Sequence, residues 1–442
     1  MASDLLSIAA SGAKVARAAL DVTSQNIANA STDGYVRRGV KVDEVAATGA
    51  QRTAADISLS GARVSAVVRN ADAFRQSEVR RTGSDAARAD TEVSGLEDLE
   101  SATENAGVYD AITGFTASLK QLATDPTDGA LRANVMAQAD TLASSFNIAA
   151  QSVSAVVGDQ QFAAAGSVDD ANTAAAALAK LNLNIARTTA GSSDQAALFD
   201  QRDTLLEKLS GIVDISTTFA DNGVVTVTSG GQDFVSGGQA QNLAMTTNPD
   251  GTLAFSLGGT AVSPTGGSLA GNELVLEQAA TVKGKLDSLA DTLSTTVNDA
   301  QADGTALDGS AGQAIFGGSG AAGIALVQTD GAALATAPAG AAAGSADGSN
   351  LAPLRTAFDA SGVSDGMNDL LFDVSSRVSS RTVTRDALDT IAASAKTAVS
   401  AQSGVNLDSE AANLVRYQQA FQACGKAMQV ASEIFDSMLS IG

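Results

Sequence analysis

Histidine is absent from all 442 residues. The commonest general base and the commonest metal ligand are therefore missing. Serine or cysteine triads built on histidine are excluded, and so are histidine-containing zinc sites. Cysteine occurs once, as Cys424, so no intrachain disulfide can form. Aromatic residues make up 4% of the chain, and much of the 44% hydrophobic fraction is alanine. Large compact cores need bulky side chains, so this composition points to slender, helix-rich architecture with thin cores. No apolar run reaches membrane-spanning length. Asp4, Lys14 and Arg17 break up any apolar stretch at the start, so no secretory signal is expected there. Two expectations remain: residence in the cytoplasm, or export by a route that needs no cleaved signal. Basic residues are also few, 27 against 49 acids, for a formal charge of −22. That sign repels phosphate backbones and anionic lipid and argues against nucleic-acid or membrane-surface partners.

What the chain does contain is periodicity at both ends. Leu5, Ile8, Gly12, Val15, Ala19, Val22, Asn26 and Asn29 recur at spacings of three and four, a heptad seam. A second row, Leu6, Ala13, Leu20 and Ile27, runs beside it. Ser3 or Asp4 is placed to cap this helix. The far end mirrors it. Leu414, Tyr417, Phe421, Cys424, Met428, Ala431, Phe435 and Met438 form a seam, flanked by Ala420, Ala423, Ala427, Val430 and Ile434. Asn406 or Asp408 is placed to cap that helix, just after Gly404. Both apolar faces are wider than one partner helix covers. Pairing the two against each other brings the chain ends together and still leaves apolar surface over, which implies self-association, a chaperone, or terminal disorder until assembly.

Between the ends the chain reads as mostly helical. Residues 57–70 alternate as a strand or hairpin arm, and a charged helix follows over 72–104. Ile112, Phe115, Leu119 and Leu122 share one face of a helix that Asp125-Pro126 ends. Leu131, Val135 and Leu142 begin a long alanine-rich helix, and 194–210 carries another with Leu198, Leu205 and Leu209 inward. At 212 the texture changes. Asn222-Gly223 and Pro249-Asp250-Gly251 are hairpin signals inside β-rich runs, so 212–276 is expected to be a small β unit. Helix returns over 278–302, with Leu286, Leu289, Leu293 and Val297 on one side. Residues 303–350 read as a Gly/Ala-rich loop or lobe. A last body helix over 365–403 carries a seam of Met367, Leu371, Val374, Val378, Arg381, Arg385, Leu388, Ala392, Ala395 and Val399. Its two arginines call for solvent or an acidic partner.

The expected fold is mainly α with a small β insert: terminal helices paired as a coiled coil, an elongated helical-bundle body and a β-rich outer unit. Its parts are 1–40 with 404–442, the body 41–211 with 277–403, the β unit 212–276 and the 303–350 loop. Chemistry-bearing motifs are weak. "GSGAAG" (318–323) matches a dinucleotide fingerprint in letters, but it lies in a Gly/Ala-rich stretch and reads as loop. "QADGTALDG" (301–309) lacks the alternating acids and terminal glutamate of a calcium loop. The acids of "GLEDLESATE" (95–104) read as a solvated helix face, and Cys424 as a small seam hydrophobe. No catalytic, cofactor-binding or metal-ligating residues are assigned, and no cofactor is expected.

Three blocks carry a family resemblance. "SGAKVARAALDVTSQNIANASTDGYVRR" (11–38) resembles the N-terminal motif of bacterial flagellar axial proteins, where a short helix leads into an "NIANANTPGY"-like turn. Asp33 stands where that family commonly has proline. "SDQAALFDQRDTLLEKLSGIVDI" (193–215) is similar to the "LLDQRDxLLxxLS" block of the flagellar hook-associated protein 1 family. "SGVNLDSEAANLVRYQQAFQACGKAMQVASEIFDSMLSI" (403–441) resembles that family's C-terminal block, with "RYQQ" and a "GVNLDEE"-like start in which Ser409 replaces glutamate.

The resemblance implies a non-enzymatic structural protein of the flagellum, a ring of identical subunits at the hook–filament junction. It implies hook protein on one side, the other hook-associated protein on the filament side, and an export chaperone on the C-terminal helix. Export would use the flagellar type III route, and the location would be extracellular. The subunit contacts expected are Leu5, Ile8, Val15, Ala19, Val22, Leu414, Tyr417, Phe421, Met428, Phe435 and Met438. The turn residues Asn26, Asn29, Asp33, Gly34 and Tyr35 would form the hinge between inner tube and outer body. The alternatives are a flagellar hook or distal-rod protein, and a non-flagellar helical binding module or enzyme.

Overall fold

The computed structural model describes residues 2–46 and 59–441. Helix α1 (Ala2–Ala28) leads into a hairpin of β1 (Arg38–Ala46) and β2 (Leu59–Arg69). Four helices follow, α2 (Ala73–Glu104), α3 (Val108–Leu122), α4 (Gly129–Arg187) and α5 (Ser193–Ile212). Next come the strands β3 (Ser216–Phe219), β4 (Val225–Ser229), β5 (Gln232–Ser236), β6 (Gln239–Ala240), β7 (Leu243–Thr247), β8 (Leu253–Leu257) and β9 (Thr260–Val262). After α6 (Gly267–Ala302) the chain makes β10 (Gly304–Thr305), β11 (Phe316–Gly317), α7 (Gly320–Gly323), β12 (Ala325–Leu326) and β13 (Ala337–Pro338). It closes with α8 (Leu351–Ala360), α9 (Val363–Ser403) and α10 (Leu407–Ile441).

The body is a bundle of α2, α4, α6 and α9, with α3 and α8 closing one end. At 59 residues, α4 is a rod of about 90 Å and sets the long axis. Short side chains capture the helix starts: Asp72, Asp128 and Ser192 each accept from amides of the first turn of α2, α4 and α5. The core at the α3 end gathers Ile112, Phe115, Leu119, Leu122, Val135, Leu142, Leu286, Leu293 and Val297. Leu289 is only partly buried. On α9 the buried apolar residues are Val363, Met367, Leu370, Val374 and Val378, so Leu370 takes the place expected of Leu371. Beyond Val378 the α9 seam is half-buried, and Arg381 reaches Glu92 of α2 at 2.9 Å. On α5 the fully buried pair is Leu206 and Leu209, while Leu198 and Leu205 are half-buried. The helix packs on both α4 and α2, so its buried face is turned by one position.

The sheets lie on the C-terminal half of α4. One has order β3-β4-β5-β6, the other β7-β8-β9, all antiparallel. Val225, Val227, Leu253, Phe255 and Leu257 alternate inward onto Ala164, Ala171, Ala175 and Leu178. Two α4 asparagines dock the strand backbones. Asn172 donates to and accepts from Leu243, and Asn182 does the same with Val225, each bond 2.8–3.0 Å. Both expected turns are present, with Gly223 at φ 84° and Gly251 at φ 88°. The strands end at Val262, and 267–276 belongs to α6, whose start buries Leu269, Val275 and Leu276.

The segment 303–350 differs from a plain loop. Ile315, Phe316, Ile324 and Leu334 bury against α4 and α6. Phe115 packs edge-on against both Phe316 and Phe358, with centroids 6.2 and 5.9 Å apart. Arg132 at the start of α4 is 1% exposed. It donates to the carbonyls of Pro126, Gly331 and Leu334 and to Thr336 Oγ1, at 2.6–3.1 Å. A few anchors thus order a sequence too poor in apolar residues to show periodicity.

At the far end α1 and α10 pack antiparallel, Asn26 beside Glu410 and Gly12 beside Cys424. The hairpin lies along α1, where Ser11 Oγ accepts from Ala62 N at 3.2 Å. Its arms pair antiparallel with shifts after Lys41 and Glu44, and β1 is a partner the alternation of 57–70 did not announce. Positions 57 and 58 of that expected strand lie outside the described residues.

Candidate assembly site

The "NIANASTDGY" turn is a joint built around one asparagine. Asn26 is 1% exposed. Its Nδ2 donates to Arg38 O (2.9 Å) and to Glu410 Oε2 (3.1 Å). Its Oδ1 accepts from the Tyr35 hydroxyl (2.8 Å) and from Arg38 N (3.0 Å). All four hydrogen-bonding positions of the amide are used. Asn26 therefore does not merely end an apolar seam; it is the polar centre of the joint. Asn29 stays local, donating to Gln25 O and accepting from Thr32 Oγ1. Asp33 is exposed, and Gly34 turns the chain at φ 75°, against Thr204. Tyr35 lies under the Arg38 guanidinium, 4.9 Å from the ring centroid. Burial raises its hydroxyl above the ordinary tyrosine value, Arg38 opposes this, and Asp200 and Glu410 add to it.

A charge network carries the joint into the body. Arg38 Nη2 and Arg69 Nε hold the two oxygens of Asp200, each at 2.7 Å. Arg69 Nη2 and Arg202 Nη2 hold the two oxygens of Asp203 at 2.7 and 2.8 Å. Arg202 also donates to Gly223 O and stacks on Phe199 and Phe219. Burial raises the Asp200 carboxyl above its ordinary value against the pull of Arg69 and Arg38, and burial lowers Arg202. Arg37 reaches Glu410 Oε1 at 2.7 Å, and Arg37 N donates to Ser403 O at 2.8 Å. Asn406 Oδ1 accepts from Ser409 N and so caps α10. Asp200, Arg202 and Asp203 lie within the "DQRD" run of α5. In sequence that run carries the family resemblance, and its side chains have no assigned role. The readable signal was opposite charge in an acidic chain: Arg37-Arg38 right after the turn and Arg69 ending the hairpin.

Such buried pairs add little net stability, but losing one partner costs several kcal/mol, about 3–5. They tie β1 and β2 to α5 of the body, and β1's neighbour Arg37 to α10.

The terminal pair itself is thinly covered. Ala19 and Val22 are buried, Ile8 and Val15 half-buried, and Leu5 is 52% exposed. The deepest stripe of α1 also takes in Ala9, Ala13 and Ala16, because the hairpin covers a second side. On α10, Leu414, Tyr417, Cys424 and Met428 are half-buried against α1 and Ala431 is buried. Phe421 (43%) and Phe435 (49%) stay exposed, and the flanking row through Val430 and Ile434 faces outward. The side chains of Ser3, Asp4 and Met438 lie outside the described ones.

A cleft of about 340 Å³ opens beside the joint, with Tyr35, Arg80, Asp203, Glu207 and Lys396 in its lining. Its charges already serve each other, as Lys396 with Glu207 at 3.7 Å. Among the described residues no three His, Cys, Asp or Glu are grouped to hold a metal ion. The amides of Gly320 and Ala321 in "GSGAAG" donate to Asp291 and Asp287, so the donors a phosphate would use are taken. No helix among the described residues is long and apolar enough to cross a membrane.

A helical body with a terminal helix pair joined to it through a buried polar hinge defines an end-paired, mainly α architecture. Family comparison makes this specific. A family model described as "Flagellar hook-associated protein FlgK helical domain" matches residues 93–316, and the chain belongs to that family. Models described as "Flagella basal body rod protein" and "Flagellar basal body rod FlgEFG protein C-terminal" match 6–35 and 398–441. Flagellar hook-associated protein 1 of Bacillus subtilis (strain 168) is 29% identical over 47% of this chain and 42% of its own length. That of Escherichia coli (strain K12) is 30% identical over 59% of this chain and 48% of its own. The chain thus spans about half the length of the curated relatives it matches. The solved flagellar hook junction protein FlgK from Burkholderia pseudomallei superposes with a TM-score of 0.50. It is 25% identical, over 54% of this chain and 46% of that one.

Proposed function

We propose that this chain is a non-enzymatic structural protein of the bacterial flagellum that forms the hook–filament junction by self-assembly through its terminal helices. The observation that carries the reading is the paired α1 and α10, whose outward row through Val430 and Ile434 is apolar and exposed while the joint holds the pair at a set angle. Exposed apolar area of that kind is stabilised by neighbours. In this reading 1–40 with 404–442 form the inner tube, and Leu5, Ile8, Val15, Leu414, Tyr417, Phe421, Met428, Phe435 and Met438 serve subunit contacts there. The helical body surrounds that tube, and the strands of 216–262 point outward. Hook protein and the other hook-associated protein bracket the ring, and an export chaperone covers the α10 face beforehand. Family membership and the family matches at both termini support this assignment.

Electron microscopy of a strain lacking the chain tests it. Bare hooks with flagellin secreted to the medium are expected. Absent hooks would move the chain to the hook or rod instead.

A further inference from the structure

The formal charge of −22 is not spread evenly along the chain. Residues 1–70 and 404–442, which hold α1, the hairpin and α10, carry ten basic and ten acidic side chains. Residues 71–403, the body with its strands, carry 17 basic and 39 acidic ones, so the whole net charge lies there. Ion pairs such as Arg381 with Glu92 and Lys285 with Asp373 spend the body's bases on its own acids. The acids left over are distributed across the bundle helices. Asp98 on α2, Asp159 on α4, Asp299 on α6 and Asp369 on α9 are all exposed.

Exposed apolar surface is divided the other way. Of the 19 large hydrophobic residues exposed among the described ones, ten lie in 1–70 and 404–442, a span of 109 residues out of 442. A neutral, apolar surface meets a second copy of itself with no net repulsion. Two bodies brought side by side do not, because the 22 uncompensated negative charges on each repel those on the other. The Debye length is about 30 Å at 0.01 M salt and about 8 Å at 0.15 M, so that repulsion changes strongly within an ordinary range of ionic strength. The sign follows. Contacts made by opposite charges weaken as salt rises, whereas contacts opposed by like charges strengthen. The division of charge and apolar surface in this chain gives the second sign.

We infer that ionic strength regulates self-association of this chain: at low salt the acidic bodies hold neighbouring copies apart, and screening lets the neutral, apolar terminal parts of two copies join. The occupant of the terminal surface is thus a second copy, and the body acts as the restraint on it. This rests on the self-assembling reading above and adds its control.

Sedimentation of the purified full chain over a concentration series, at about 0.01 M and about 0.15 M sodium chloride, tests it. The apparent dissociation constant falls about tenfold or more at the higher salt. Asp98→Asn with Asp159→Asn, Asp299→Asn and Asp369→Asn tightens association at the lower salt and shrinks the salt effect. All four side chains are exposed, so thermal melting of this variant stays close to that of the wild type. Association that weakens with salt or ignores it overturns the inference, and so does a salt effect that the quadruple variant leaves at full size. If Val430→Ser with Ile434→Ser abolishes association in those cases, the terminal-helix reading stands without this control. Salt-tightened association that survives Val430→Ser with Ile434→Ser moves the contact off the chain ends and overturns both. A full chain that stays monomeric at both salts also overturns both.

Discussion

Asn26 and Glu410 lie 384 positions apart in the chain, yet the Asn26 amide donates to the Glu410 carboxylate across 3.1 Å. The last turn of α1 is thereby fixed to the first turn of α10, and Arg37 reaches the same carboxylate from the other side. Replacing Asn26 by leucine leaves the Tyr35 hydroxyl, the Arg38 amide and one Glu410 oxygen without that partner. A cost of about 2–4 kcal/mol is expected, confined to the joint. Hydrogen exchange should accelerate around 26–38 and 406–412 while the α3–α4 core keeps its protection. Uniform loss of protection across the body would contradict this.

The Tyr35 hydroxyl gives the joint an alkaline limit. Burial raises its pKa above the ordinary value of 10.0, so the folded state holds this proton more tightly than the unfolded chain. The corresponding stability is fully present below the unfolded value and is lost as pH rises through the folded one. The phenolate difference spectrum between the wild type and Tyr35→Phe should show a transition above that of an unfolded control. A transition at or below the control sinks the assignment.

Arg132 is caged by carbonyl oxygens and one hydroxyl, with no carboxylate among its hydrogen-bond partners. Arg132→Met keeps much of the volume and removes the donors, leaving the carbonyls of Pro126 and Leu334 buried without them. Urea denaturation should report a loss of about 2–4 kcal/mol. Protease cleavage should begin within 303–350. A variant as stable and as resistant as the wild type would show the cage to be dispensable.

The exposed row of α10 makes the opposite prediction. Val430→Ser with Ile434→Ser removes apolar side chains that are half exposed in the single chain. Circular dichroism and melting of dilute protein should be unchanged, while incorporation into flagella and motility are lost. Normal swimming with the double variant would remove α10 from the assembly surface.

Regular periodicity was legible in the sequence, and singular contacts were not. The seams of α3 and α6 repeat often enough to declare a buried face, and Asn222-Gly223 announces its turn through glycine's access to positive φ. Asn26 stands at the end of the α1 seam, and nothing local names its four hydrogen bonds, which come from the turn, β1 and α10 together. Leu206 displaced Leu205 because α5 answers to two neighbours, which one periodic row does not encode. In 303–350, four apolar anchors and the asparagines that serve them, such as Asn298 to Phe316 O, are too sparse to form a pattern. Asp200 and Arg38 find each other across 162 positions, a distance no local rule spans.

The antiparallel match of α1 to α10 also has a consequence in time. Helix α1 is completed by a helix synthesised after it, with nearly the whole body between them. Contacts of such sequence separation form late, since their loop-closure cost is met only once intervening structure has shortened the path. Until α10 has been synthesised, α1 has the hairpin for company and no helical partner. The end-pair is thus a checkpoint on synthesis: only a chain extended through α10 can seat Glu410 against Asn26.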